Sequence, residues 1–200
     1  GSGKRPKAHG LLNVPFTPPV SLINSFSLKV FNALYSRKPG GNFLTHYEPF
    51  FYPLDAIGHW NRIYGPRGFL QYQCVLPPEV AEPVLSELLA RIAKSGQGSF
   101  LAVLKRFGDK PAVGMLSFPR LGVTIALDFP MLGERTRWLM DKLDEVVAEA
   151  GGALYPAKDS RMSYSLFRRS LRLWDRMLPF FDKNFISDFQ KRVFIRKVVA

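Results

Sequence analysis

Cysteine is almost absent from this 200-residue chain: Cys74 stands alone. No intrachain disulfide can form, a composition that suits a reducing compartment. No apolar run reaches the ~20 residues needed to span a bilayer. Acidic residues are scarce beside basic ones, 16 against 28, and the formal charge of +12 calls for an anionic partner. Phosphorylated substrates, acidic membrane surfaces and nucleic acids all qualify. His9, His46 and His59 show no ligand spacing, and with one cysteine that argues against a zinc site. A phosphate-cradling Gly-rich loop is also lacking, because the Gly-Gly pairs at 40 and 151 read as helix ends. Neither an internal repeat nor a low-complexity tract is present.

What remains is enough for a core. The chain is 46% hydrophobic and 14% aromatic, sufficient for one sizeable domain or one domain plus part of another. Both signs of charge are interspersed, which excludes a disordered tail. Gly1-Ser2-Gly3 reads as a tag remnant, with the natural start expected upstream. Residues 4–66 form a lead-in. Pro15, Pro18 and Pro19 make its first part extended. Ser21 is placed to cap a helix to about Tyr35, with Ile23, Phe26, Val30 and Leu34 on one stripe. Pro39-Gly40-Gly41 ends that helix, and residues 42–66 read as irregular but ordered.

Residues 67–155 are regular. Gly68 to Leu76 alternates as a strand. The stripe Val84, Leu85, Leu88, Leu89, Ile92 predicts a helix opened by Glu82-Pro83 and stopped by Gly96. Ser99 to Phe107 and Leu121 to Phe129 are the second and third strands. Residues 134–150 predict a helix with Trp138, Leu139, Leu143, Val146 and Val147 inward, and Ala153 to Tyr155 a short fourth strand. The order β-α-β-β-α-β points to an α+β, ferredoxin-like fold: an antiparallel sheet with both helices on one face. In residues 156–200, Ser163 caps a predicted helix with Phe167, Leu171, Trp174 and Leu178 in line. Pro179 stops it, and a basic helix follows from about Asn184 to Arg192.

Strand parity sorts the sheet's two faces. Val123, Ile125, Leu127 and Phe129 point one way, as do Leu70, Tyr72 and Cys74 on the first strand. In this topology the first and third strands are central neighbours, so the apolar sets belong beneath the helices. Gln71, Gln73, Thr124 and Asp128 then share the open face, and Lys105 joins them by its strand position, although Leu101 and Val103 on its side are apolar. A half-exposed sheet normally carries polar residues on its wet side. Amides and a carboxylate together also suit hydrogen bonding to a polyhydroxylated ligand. Cys74 falls on the core side, as a packing residue rather than a nucleophile.

The stretch Gly152-Ala-Leu-Tyr-Pro-Ala-Lys158-Asp-Ser-Arg161 sets a lysine between a short strand and a helix start. It accompanies Phe51-Tyr-Pro-Leu-Asp55, Trp60-Asn-Arg62, Tyr64-Gly-Pro66, Gly68-Phe-Leu-Gln-Tyr-Gln73, Leu104-Lys-Arg-Phe-Gly108, Leu116-Ser-Phe-Pro119, Asp128-Phe-Pro130 and Ser187-Asp188. In this order, across roughly Phe50 to Arg192, these segments resemble the C-terminal half of the decaprenylphosphoryl-ribose oxidase family. Those are FAD-linked oxidases of the vanillyl-alcohol-oxidase type.

The resemblance implies oxidation of a secondary sugar alcohol to a ketone on a polyprenyl-phosphate-linked pentose. FAD is bound mainly by an N-terminal domain that this chain lacks, and residues 156–200 return to that domain. By resemblance Lys158 sits at the isoalloxazine ring with Tyr155 packed nearby. An ammonium there stabilises negative charge as it develops on the ring. Gln71, Gln73, Lys105, Thr124 and Asp128 line the substrate side, with Asp128 anchoring a hydroxyl or orienting a neighbour. Thr124 stands where mycobacterial members usually carry asparagine, and Ala126 where they carry a cysteine attacked by covalent inhibitors. A partner reductase completing an epimerisation is implied too, and the chain alone is expected to bind flavin poorly and be inactive.

Three rival readings stand beside this one. An aldonolactone oxidase would share the cofactor and differ in substrate. A basic ferredoxin-like nucleic-acid module would need aromatic rings on the open face of its central strands, where Thr124, Ala126 and Asp128 stand instead. No nucleic acid is therefore expected. Basic and aromatic residues from Arg168 to Val199 suit either docking on an anionic membrane or a solvated helix face, so the location expected is cytoplasmic or peripheral on the inner membrane face.

Overall fold

The structure, a computed structural model, describes residues 12–37, 40–41, 44, 46–52, 57–158, 161–182 and 184–194. Pro39, Asp55 and the pair Asp159-Ser160, which the sequence reading used, lie outside the described residues. The chain divides into two compact units, one ending at Gly68 and one beginning at Phe69.

In the first unit the extended lead-in pairs with a later segment. Strand β1 (Leu12–Asn13) lies parallel to β2 (Ile57–Gly58). The Arg62 guanidinium donates to the Val14 and Pro15 carbonyls at 2.8 and 2.9 Å, holding the Pro-rich strand that offers few donors of its own. Helix α1 (Ser25–Ser36) begins later than the sequence suggests, because Asn24 and not Ser21 caps it. Asn24 Oδ1 accepts from the Phe26 and Ser27 amides, while Ser27 Oγ accepts from the Asn24 amide, a reciprocal capping box. Ser21 spends its hydroxyl on the Ile23 amide two residues on. The expected stripe is not buried: Ile23 is, but Phe26 is 77% exposed, and no residue of α1 is buried. A short helix α2 (Tyr47–Phe51) and a 3-10 turn over Trp60–Tyr64 order the irregular stretch.

The second unit has the α+β architecture expected. Strands β3 (Phe69–Leu76), β4 (Ala102–Phe107), β5 (Gly122–Pro130) and β6 (Ala153–Leu154) form an antiparallel sheet in the order β4-β5-β3-β6. That is the strand order of the ferredoxin-like arrangement, with β3 and β5 central. Helix α3 (Ala81–Ser95) and helix α4 (Glu134–Glu149) cover one face. Tyr72, Cys74 and Leu76 of β3 and Ile125, Leu127 and Phe129 of β5 pack there with Leu88, Ile92, Leu139, Met140, Leu143 and Val147. Burying each large side chain contributes about 1.5–3 kcal/mol, so this layer dominates the unit's stability. Gly96 ends α3 at φ 69°, a left-handed cap that costs little without a Cβ.

Two expectations need correction. Trp138 is 62% exposed, not inward. At ~100° per residue it stands roughly 140° from the middle of the arc that Thr136, Leu139, Met140, Leu143, Val146 and Val147 bury, so Thr136 and Met140 take the inward places. The long helix expected from Ser163 to Leu178 is also broken. Ser163 does cap α5, accepting from the Leu166 amide at 3.2 Å, but α5 ends at Ser170 (Tyr164–Ser170). Its last residue is diverted: Arg120 donates to the Ser170 carbonyl at 2.5 Å, and the Ser170 hydroxyl accepts from the Leu154 amide of β6. A separate 3-10 segment, Trp174–Phe180, then carries Pro179 within it.

The last helix, α6 (Asp188–Phe194), starts after Asn184 because Ser187 and Gln190 cap it reciprocally. Met162, Leu166, Phe167, Leu171 and Val193, in the segment expected to return to a flavin-binding domain, join the helix-side core of this unit. Among the described residues no helix is long and apolar enough to cross a membrane.

Candidate functional site

Register decides which side chains meet on the sheet face away from α3 and α4. Gln71 pairs with Asp128, and Gln73 with Ala126, across β3 and β5. Val103 pairs with Ala126, and Lys105 with Thr124, across β5 and β4. Period-two alternation therefore brings Gln71, Gln73, Lys105, Thr124 and Asp128 onto one surface from three strands. They line a cavity of about 260 Å³ together with Leu101, Val103, Ala126 and Lys158. The face is recessed rather than open. Thr124 is 1% and Asp128 3% exposed, while Lys105 stands exposed at the margin.

Lys158 reaches this surface from the short 3-10 turn Pro156–Lys158 that follows β6. Its Nζ donates to Gln71 Oε1 at 2.7 Å, which fixes the ammonium at the rim of the cavity. Gln73 Nε2 donates to Thr124 Oγ1 at 3.2 Å. The Asp128 amide donates to Ser99 Oγ at 3.0 Å, tying the segment before β4 to the cavity wall. Ser99 belongs to the quoted strand segment, but its part in the wall depends on a contact 29 residues away, which no local pattern announces.

Asp128 is the electrostatic centre. Burial pushes its pKa up, against the lowering effects of the Gln71 amide and the Lys158 ammonium. Its Oδ2 is buried without a hydrogen-bond partner. A buried acceptor left unsatisfied costs about 1–3 kcal/mol, so the fold sustains a deficit that a ligand donor would remove.

Tyr155 is anchored through its backbone, whose amide donates to the Gln73 carbonyl at 2.9 Å. Its ring lies 4.7 Å from that of Phe118, centroid to centroid, and Phe118 meets Phe107 edge-on. These rings close the Val75 end of the polar face. Tyr155 also lines a small cleft with Lys158, Gln71, Gln73 and Arg161. The structure thus gathers all seven residues singled out from the sequence around one sheet surface.

One supporting group escaped the sequence reading. Arg161, three residues past Lys158, donates through Nη1 to Asp141 at 2.5 Å and Asp144 at 2.7 Å, both on α4. Burial would lower its pKa, but Asp144 and then Asp141 raise it. Asp144 is 8% exposed, and burial raises its pKa despite Arg161. The arginine was visible in the motif, yet nothing in the sequence assigned its acidic partners. Cys74, on the helix side, is buried and its thiol is pushed up to about 12 by burial, which makes it inert packing.

Comparison with known proteins adds the following. No family model matches the chain. It is 38% identical over 190 residues to decaprenylphosphoryl-beta-D-ribose oxidase of Mycolicibacterium smegmatis, covering 92% of this chain and 41% of that protein. An "Uncharacterized protein in mprA 5'region" of Streptomyces coelicolor is 36% identical over 115 residues, 58% of this chain and 29% of that protein. The chain thus spans less than half the length of the curated relatives it matches.

Proposed function

We propose that this chain, related across 92% of its length to decaprenylphosphoryl-beta-D-ribose oxidase, forms the substrate side of an FAD-linked oxidase acting on a secondary sugar alcohol. The observation that carries the reading is that one cavity holds both a fixed cation and a buried carboxyl group. Lys158 Nζ is held at 2.7 Å from Gln71 Oε1 at the rim, and Asp128 Oδ2 lies buried and unpartnered on the floor. The residues fit a flavin and a sugar: an ammonium fixed at the margin, an orphaned acceptor, and amides and a hydroxyl between them. A bound flavin would supply the acceptor for the hydride that leaves the substrate carbon.

The chain's own groups do the rest. Lys158 offers a localised positive charge whose position is set before any ligand arrives, so it stabilises developing negative charge without reorganisation. Asp128 Oδ2 accepts a hydrogen bond from a sugar hydroxyl, which replaces its missing partner. Gln71, Gln73 and Thr124 present further donors and acceptors that orient the ring. Lys105 at the margin attracts a phosphate from solvent, aided by the +12 formal charge. A polyprenyl-phosphate-linked pentose matches this set: hydroxyls for the floor and a phosphate for the margin. FAD would be held mainly by a further domain, and a reductase acting on the ketone would complete an epimerisation.

The test grafts this chain in place of the matching segment of the Mycolicibacterium smegmatis oxidase. Flavin content is read by absorbance, and oxidation of decaprenylphosphoryl-ribose by product analysis. Lys158→Met is expected to lower kcat by about 10²-fold or more with flavin content retained. Asp128→Ala is expected to raise KM by ~10-fold or more through loss of a charge-assisted hydrogen bond. A flavin-loaded graft that turns over equally well with Met at 158 would end the reading. Preferential turnover of a sugar lactone would move it to the aldonolactone oxidases.

A further inference from the structure

We propose that a recess at the Val75 end of the sheet is a binding site for an anionic amphiphile, a carboxylate or phosphate head carried on an alkyl chain. Three segments of the second unit build it: the end of β3 from Val75 to Pro77, the connection from β4 to β5, and the residues that follow α5. They surround about 520 Å³, within the ~300–1,000 Å³ usual for small-molecule sites. The recess shares no lining residue with the polar cavity. Val75 packs in the cluster of Phe118 and Tyr155 that closes the polar face, so the recess begins where that face ends.

Its wall sorts into a hydrocarbon part and a cationic part. Val75, Pro77, Met115, Leu121, Leu171 and Leu173 supply the hydrocarbon, and Pro77 has no amide to offer. The polar side chains are Ser117, Arg120 and Arg172; of the described residues that line the recess, none is an aspartate or a glutamate. Arg120 spends two donors inside the fold, Nη2 on the Ser170 carbonyl at 2.5 Å and Nε on the Phe118 carbonyl at 3.3 Å. Those bonds fix the guanidinium on the wall and leave Nη1 and the second Nη2 hydrogen for a ligand.

Charge decides what kind of ligand fits. Two guanidinium groups share one wall and repel each other; burial and then Arg172 lower the Arg120 pKa, although the group stays charged. Arg172 is exposed, and among the described residues its guanidinium makes no hydrogen bond or ion pair. An anion between the two replaces repulsion with charge-assisted, forked hydrogen bonds. An alkyl chain attached to that anion leaves water along the hydrocarbon wall. A wholly polar anion would leave that wall bare, and a neutral apolar molecule would leave the arginines unbalanced. Binding here is read without flavin or turnover, so it stands apart from the oxidase reading.

The test titrates the whole 200-residue chain calorimetrically with decanoate and decyl phosphate below their micelle concentrations, and with decanol and decyltrimethylammonium. Saturable, salt-weakened binding is expected for at least one of the two anions, at least ~10-fold weaker for decanol and absent for the cation. Preference for decyl phosphate assigns a phosphate head, and preference for decanoate a carboxylate. Arg172→Met is expected to weaken binding by ~10-fold or more with Tm unchanged. Arg176→Met, which removes an equal charge outside the recess, is expected to leave it at the parental value. In a chain carrying 13C-methyl methionine, the Met115 resonance is expected to shift on titration while those of Met140 and Met162, buried in the helix-side core, stay. Parental affinity in Arg172→Met overturns the proposal, as does an equal loss in Arg176→Met. Decanol bound as tightly as either anion, an unmoved Met115 methyl, or no binding of both anions also overturns it.

Discussion

Replacing Arg161 with methionine tests how the Lys158 turn is held. In the parent, Arg161 Nη1 reaches Asp144 Oδ2 at 2.7 Å, with only 18% of the arginine side chain and 10% of the aspartate side chain exposed. Asp144 Oδ1 is already buried without a partner, so removing the guanidinium strips the carboxylate of its main compensation. Breaking one side of a buried ion pair typically costs about 3–5 kcal/mol. The second contact, to the largely exposed Asp141, adds only ~0–1 kcal/mol. Against a whole-domain stability of about 5–15 kcal/mol this is a large fraction, and a fall in Tm of roughly 10 °C or more follows.

The pH dependence carries a definite sign. The folded pKa of Asp144 is raised, chiefly by burial, so the protonated form suits the fold better than the charged form. Its favourable contribution is present below the ordinary carboxylate pKa of about 4 and is lost as pH rises through the folded value. Arg161 opposes the raise, so the methionine variant extends that window upward. Urea unfolding followed by tryptophan fluorescence at pH 5 and pH 7.5 is the assay. The variant's deficit is expected to be larger at pH 7.5, and Asp144→Asn in the same background is expected to recover part of it. A deficit below about 1 kcal/mol that does not change with pH would refute the reasoning.

Asp128→Asn removes a buried charge whose folded pKa is raised by desolvation, and so removes a loss that the parent suffers as pH climbs through that value. The variant is expected to gain on the order of 1 kcal/mol at pH 7 and nothing at pH 4, read by calorimetry; a lower Tm at pH 7 would contradict this. Gly122→Ala is expected to destabilise by roughly 2 kcal/mol or more in chemical denaturation. A Cβ there would stand 2.3 Å from the Leu76 carbonyl oxygen on a backbone at φ 156°, so a neutral substitution would show that β5 can shift away from β3.

Much of the second unit was legible because its pattern is short-range. Alternation along Gln71 to Cys74 and along Val123 to Phe129 states which residues share a face, and one pairing of central strands then assembles the cavity. What failed was set by distant partners. Trp138 was placed inward because it is large and apolar, although Thr136 and Met140 fit the helix line better. The break after Ser170 comes from Arg120 and Leu154, which take up its carbonyl and hydroxyl from far along the chain. Asp144 and Arg161 were each visible, but opposite charges separated by 17 residues look like any solvated pair until the fold buries them. Helix α1 carries the apolar spacing that the sequence announces, but its cap was set by a choice between neighbours: Asn24 closes the capping box, while Ser21 turns its hydroxyl to the Ile23 amide.

The pairing of β3 with β5 places Gln71 across from Asp128 and Tyr72 across from Leu127. Sliding either strand by a single residue would turn the polar cavity floor into the hydrophobic layer and expose the hydrophobic layer to solvent. The polar cavity and the apolar core are thus encoded in the same few residues and are inherited together. Insertions within these two strands should be purged, leaving the lining of the cavity to change by substitution in place and by remodelling of the loops around it.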